Sequence, residues 1–147
     1  MIMLAIDPGK GATKTIGLAK FVDNQLTEAH QMTFPEMVRY INDRENRVVS
    51  DIVYESYMVR PDKLKENVGT MVETAQCIGA IRAVAVLYDI NLTMQNASIL
   101  PIASRQFQIK IPTNHAKSHS FCAILHGMYF LHRRGLIKSA LEEKMSK

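Results

Sequence analysis

A chain of 147 residues, 47% hydrophobic and 22% charged, has the size and apolar content of one ordinary domain with its own core. No apolar run approaches the ~20 residues that a membrane-spanning helix needs, and no basic-then-apolar leader opens the chain, so a cytoplasmic protein is expected. Cys77 and Cys122 stand far apart in unlike surroundings, which favours two free thiols in a reducing compartment over a disulfide.

The net charge of +4 is unevenly spread. Residues 1–89 hold 10 Lys/Arg against 12 Asp/Glu, whereas residues 90–141 hold Arg105, Lys110, Lys117, Arg133, Arg134 and Lys138 and no carboxylate. A one-sided segment of this kind suits a polyanion, because each phosphate neutralised by Lys or Arg releases condensed counterions. A solvated basic face without a partner is the competing reading.

The first informative stretch is Leu4-Ala5-Ile6-Asp7-Pro8-Gly9. An apolar run that ends in a carboxylate and then Pro-Gly predicts a buried strand over residues 2–7, a tight turn, and an antiparallel partner over 14–21. Asp7 then lies at the mouth of a sheet, either as a metal ligand or as an acceptor of backbone N–H groups in an Asx-type turn. Residues 9–15 contain Gly and Lys but are not a phosphate loop, since G-x-x-x-x-G-K-[ST] would need glycines where Pro8 and Thr13 stand.

Asp23-Asn24 signals a turn into a third, edge-like strand over 25–33, completing a meander. Phe34-Pro35-Glu36 opens a helix with Met37, Val38 and Ile41 on its apolar stripe, and the charged run 43–47 ends it. Ile52-Val53-Tyr54-Glu55 is a second apolar strand that delivers a carboxylate. The charged, Pro-broken segment 58–66 reads as a loop leaving the Glu55 end. A helix from Asn67 or Thr70 to about Tyr88 follows, with a face of small residues. A short final strand is expected over 97–103 and an irregular basic connection over 104–113. A long helix is expected from Asn114 to about Arg134, ended by Gly135. Residues 136–147 are expected to form a frayed or flexible tail of a single domain spanning 1–147.

The order β-β-β-α-β-α-β-α predicts an α/β fold with a mixed five-stranded sheet flanked by helices. If the first and fourth strands are parallel neighbours, Asp7 and Glu55 emerge at one edge. Two such carboxylates suit Mg²⁺, and a pair of ions about 3.5–4 Å apart can hydrolyse a phosphodiester.

Ala5-Ile6-Asp7-Pro8-Gly9, Val53-Tyr54-Glu55, the block Val72 to Ile81, and His119-x-x-Cys122-Ala123-x-x-His126-Gly127-x-Tyr129 resemble the successive blocks of RuvC-like Holliday junction resolvases. The likeness is greatest to the small phage and prophage type, and it spans nearly the whole chain. It implies an RNase H-like fold and a Mg²⁺-dependent endonuclease, with Mn²⁺ as an alternative ion. It also implies action on branched DNA, as a homodimer. Asp7 and Glu55 fall on the first two acidic ligands. His119 falls on the next, and Cys122 on the last, where the family pattern expects Asp. No shift of alignment to His115 restores an acid.

His115, His119, Cys122 and His126 share one helical stripe. Three readings stay open: a core-facing stripe with hydrogen-bonded histidines, a weakened metal site using His119, or softer ligands recruiting Zn²⁺ or Mn²⁺. Glu73 is placed to orient neighbours or pair with a base as readily as to bind metal. Lys10, Lys14, Arg60, Lys63, Lys65, Arg105, Lys110 and Lys117 border the carboxylate edge as candidate phosphate contacts. Two functions from different classes follow: a branched-DNA nuclease, or a DNA-binding protein of the same fold with a crippled site. An actin-like ATPase would need a second phosphate loop and about twice the length of chain.

Overall fold

The computed structural model describes residues 1–9, 16–43, 48–56 and 68–145. β1 (Ile2–Asp7), β2 (Ile16–Val22) and β3 (Gln25–Met32) form the meander, and α1 (Phe34–Asn42) leads into β4 (Asp51–Ser56). α2 (Val68–Leu87), β5 (Asn91–Asn96), α3 (Leu100–Phe107), α4 (His115–Arg133) and α5 (Ala140–Met145) follow. The sheet order is β3-β2-β1-β4-β5. β2 is antiparallel to both β1 and β3, while β1–β4 and β4–β5 are parallel. The expected mixed five-stranded sheet is therefore present.

Local chemistry explains the elements. Asp23 and Asn24 both adopt positive φ, 49° and 69°, as a two-residue hairpin turn between right-twisted strands requires. Glu36 reaches back to accept the Thr33 backbone N–H at 2.7 Å, and Pro35 occupies the first turn of α1, where its missing N–H leaves no bond unmade.

Strand alternation sorts β1 and β4 onto two faces. Leu4, Ile6, Ile52 and Tyr54 face Met37, Ile41, Cys77, Ile81 and Ala85 of α1 and α2. Met3, Ala5, Ala19, Phe21 and Val53 pack against Ala123, Ile124, Phe130 and Leu131 of α4. α3 closes over α4 through Ala103, Phe107 and Leu125. By the same two-residue period, Asp7 and Glu55 belong to the face covered by α4.

The last strand differs from expectation. It is Asn91–Asn96, and residues 97–103 instead form a short 3₁₀ turn and the start of α3. Pro101 gives the reason, because proline has no N–H for a sheet ladder but fits the first turn of a helix. Asn96 fixes the change of direction by accepting the Ser98 N–H at 2.9 Å. The connection expected to be irregular over 104–113 is helical as far as Phe107. At the other end of the chain, α5 starts with Ser139 and Glu142 exchanging hydrogen bonds, and His132 Nε2 reaches Glu142 at 3.0 Å. No helix among the described residues is long and apolar enough to cross a membrane.

α4 lies so close to the sheet that two glycines are obligatory. A Cβ on Gly17 would collide with the backbone carbonyl of His119, and one on Gly127 with the Phe21 ring. Gly17→Ala is expected to lower the unfolding free energy by about 1–3 kcal/mol, the range for overpacking a fitted contact. Urea denaturation would measure it, and an unchanged midpoint would contradict the close seating of α4.

Candidate functional site

Asp7 ends β1 and Glu55 is the penultimate residue of β4. Register pairs Ile6 with Tyr54, so the two carboxylates occupy equivalent positions on adjacent parallel strands, on the α4 side. They line one cavity of about 270 Å³ with Pro8, Gly9, Ser56, Thr74, Leu100, Ser118, His119 and Cys122. All four residues singled out for chemistry, Asp7, Glu55, His119 and Cys122, are brought together there.

Asp7 is only 5% exposed. Its Oδ1 accepts the Gly9 N–H at 3.0 Å and its Oδ2 lies 2.8 Å from His119 Nδ1. The turn role considered for Asp7 is thus present in Oδ1, while Oδ2 is paired with His119. Thr74, buried on α2, donates its hydroxyl to the Gly9 carbonyl at 2.9 Å and so ties the turn after β1 to that helix. Glu55 Oε2 lies 3.0 Å from Nε2 of His126.

Cys122 occupies the remaining wall. Burial pushes its thiol up to about 12, with the charges of Asp7 and Glu55 and a hydrogen bond to Asp7 adding to the rise. At neutral pH it is therefore an uncharged thiol. A place where two carboxylates oppose a further negative charge is one where a cation is favoured. Among the described residues no three His, Cys, Asp or Glu side chains converge at metal-ligand distances, and each carboxylate is hydrogen-bonded to a histidine. Asp7, Glu55 and His119 share the cavity, with Asp7 paired to His119 and Glu55 to His126.

The flanking predictions divide. Lys10, Lys14, Arg60, Lys63 and Lys65 lie outside the described residues, as does the side chain of His115. Lys117 is exposed in the first turn of α4, directly before the cavity residues Ser118 and His119. Arg105 is exposed on α3, whose first residue, Leu100, lines the cavity, and Lys110 is exposed beyond it. Glu73 instead lines a neighbouring cavity with Pro8, Ile16, Phe34, Pro35, Gln76 and Cys77, behind the Pro-Gly turn. Sequence reasoning overlooked Thr74 and Gln95. Thr74 offered no signal beyond its place next to Glu73. Gln95 fell in a segment assigned to no strand.

No family model matches this chain, and no curated protein matches it in sequence. Among solved structures, it is similar to the T. thermophilus RuvC in complex with a Holliday junction substrate. That match has a TM-score of 0.60 and 11% identity, over 95% of this chain and 99% of the other. A second Thermus thermophilus RuvC structure matches over the same shares with a TM-score of 0.49 and 14% identity. At this identity the likeness is one of fold: the chain has the α/β, RNase H-like architecture of RuvC, a mixed five-stranded sheet flanked by helices.

Proposed function

We propose that the protein is a divalent-metal-dependent endodeoxyribonuclease of the small phage type that cleaves Holliday junctions or other branched DNA in the cytoplasm. The observation that carries this reading is the pair of carboxylates, Asp7 and Glu55, on adjacent parallel strands in one cavity, with their fields converging at Cys122. The RuvC of similar fold holds a Holliday junction substrate, which supports the same class of partner here. The proposed ion is Mg²⁺ or Mn²⁺, bound by Asp7, Glu55 and His119. When bound, it would polarise a phosphodiester and activate water.

The chain's own residues do the rest. Asp7 and Glu55 supply the negative charge that attracts the ion. His119 holds Asp7 Oδ2 through Nδ1. The first turn of α4 at the cavity brings the positive end of a 19-residue helix dipole to an incoming phosphate. Lys117, Arg105 and Lys110 would neutralise flanking phosphates, as would Lys10, Lys14, Arg60, Lys63 and Lys65. Contacts to phosphate position DNA without reading its bases, in keeping with selection by branch shape.

A second reading is favoured by one observation, the uncharged Cys122 where an acid is expected. On it, the protein binds branched DNA and cuts it weakly or not at all. Cleavage of a synthetic four-way junction with Mg²⁺ or Mn²⁺, run beside a gel shift, separates the two.

The resemblance implies a homodimer, and the outward face of α2 supports that reading. The outward stripe of α2 consists of Val72, Ala75, Gln76, Gly79, Arg82, Ala83, Val86 and Leu87, mostly small or apolar, with Val86 83% and Leu87 75% exposed. A helix apolar on its outer side is one that packs against something. We propose a second copy of the chain as its partner.

Asp7→Asn is expected to abolish metal-dependent cleavage while retaining junction binding; cleavage at the wild-type rate would refute the site. Cys122→Asp is expected to raise Mg²⁺-dependent cleavage by about tenfold or more, since 1.4 kcal/mol of added attraction for the ion already gives tenfold in affinity. Unchanged cleavage would remove Cys122 from the missing-ligand position. Junction affinity should fall steeply with salt, and Lys117→Ala should lower the log–log slope by about one per subunit; a flat salt response would contradict the basic surface. Val86→Glu should convert a dimer to a monomer in sedimentation without lowering the melting temperature of the fold, and an unchanged sedimentation coefficient would remove α2 as the interface.

A further inference from the structure

His126 is 0% exposed and takes no part in lining the cavity, yet it touches one of the cavity's two acids. Its Nε2 lies 3.0 Å from Glu55 Oε2, and its Nδ1 lies 2.7 Å from Gln95 Oε1. An ionised carboxylate can only accept, so Nε2 carries a proton and donates it; Nδ1 of the neutral ring then accepts, with the Gln95 amide turned so that its NH2 group donates. Gln95 and Glu55 are register partners on β5 and β4, and the imidazole on α4 bridges the two. A buried histidine that merely needed partners could use any carbonyl. This one is held at both nitrogens by side chains from two adjacent strands, and one of those is a proposed metal ligand.

We infer that His126 is a positioning residue for Glu55, with Gln95 fixing the imidazole plane. The bond engages Oε2, which leaves Oε1 as the oxygen presented to the cavity and stops the carboxylate from rotating away. Glu55 is long and has three side-chain torsions, and among the described residues its carboxylate is held by His126. Outer partners of this kind orient ligating carboxylates, and their loss typically weakens metal binding by about 10–100-fold. The inference rests on the reading of the Asp7–Glu55 cavity as a divalent-cation site.

The test uses the full chain and Mn²⁺, whose binding is read by electron paramagnetic resonance without any DNA. His126→Leu removes the donor, whereas His126→Gln keeps an N–H near the Nε2 position. His126→Leu should raise the Mn²⁺ dissociation constant by about 10–100-fold, and His126→Gln should recover most of that loss. Gel-shift binding of a four-way junction in EDTA, unchanged in both variants, would show that the fold is intact. Equal Mn²⁺ affinity in wild type and a folded His126→Leu would overturn the inference, as would a His126→Gln no better than His126→Leu. Should His126→Leu fail to fold, Gln95→Leu leaves His126 in place but unheld, and a smaller weakening of Mn²⁺ binding is expected; none would overturn the inference.

A second measurement separates this inference from the nuclease reading. In ¹⁵N-histidine-labelled protein without metal, Glu55→Gln should shift the ring signals of His126 and leave those of His119 nearly unmoved. Unmoved His126 signals would overturn the positioning role whatever the metal data. A wild-type chain that binds no Mn²⁺ would overturn the proposed metal site while the ring spectrum still judged the His126–Glu55 pair.

Discussion

The close seating of α4 on the sheet is the constraint from which the site follows. Gly17 pairs with Asp7 across β1 and β2, and the absence of a side chain there lets the His119 backbone rest against β2. Gly127 does the same against Phe21 two turns later. With the helix held at that separation, His119 meets Asp7 and His126 meets Glu55. A bulkier residue at either glycine would lift α4 away and part both pairs together.

The same packing concentrates negative charge where the fold can least dilute it. Burying a carboxylate is unfavourable unless hydrogen bonds or an opposite charge compensate it. Asp7 has the Gly9 N–H and His119, and Glu55 has His126. The compensation is partial, because both acids still raise the Cys122 thiol. That residual field is the physical basis for expecting a cation, and the neutral thiol is the basis for expecting the site to hold one ion more readily than two.

Much of this was legible in the residues. Apolar runs that end in a carboxylate draw attention to Asp7 and Glu55 because a charge at the buried end of a central strand needs a hydrogen-bonded partner or a cation. The meander was readable from Asp23-Asn24, and the i, i+4 and i+7 spacing put His119, Cys122 and His126 on one face of the last long helix. β5 was misplaced because it is an edge strand whose residues, Asn91-Leu92-Thr93-Met94-Gln95-Asn96, are mostly polar and exposed. An edge strand need not show the apolar run that betrays a central one. With β5 misplaced, the link from Gln95 to His126 could not be foreseen, since it depends on which strand lies beside β4. The reading of His126 as a hydrogen-bonded core histidine was sound as far as burial goes. Its acceptor on Glu55 is a tertiary fact, set by helix seating rather than by spacing.

The central claim is that Asp7 and Glu55 form a divalent-cation site beside Cys122. Anomalous diffraction from crystals soaked in Mn²⁺ tests it most directly. The account predicts a peak within ligand distance of Asp7 and Glu55, with His119 turned to share it and Glu55 still hydrogen-bonded to His126. A clean map at that cavity, under conditions in which the soaked crystals take up Mn²⁺ elsewhere, would contradict it.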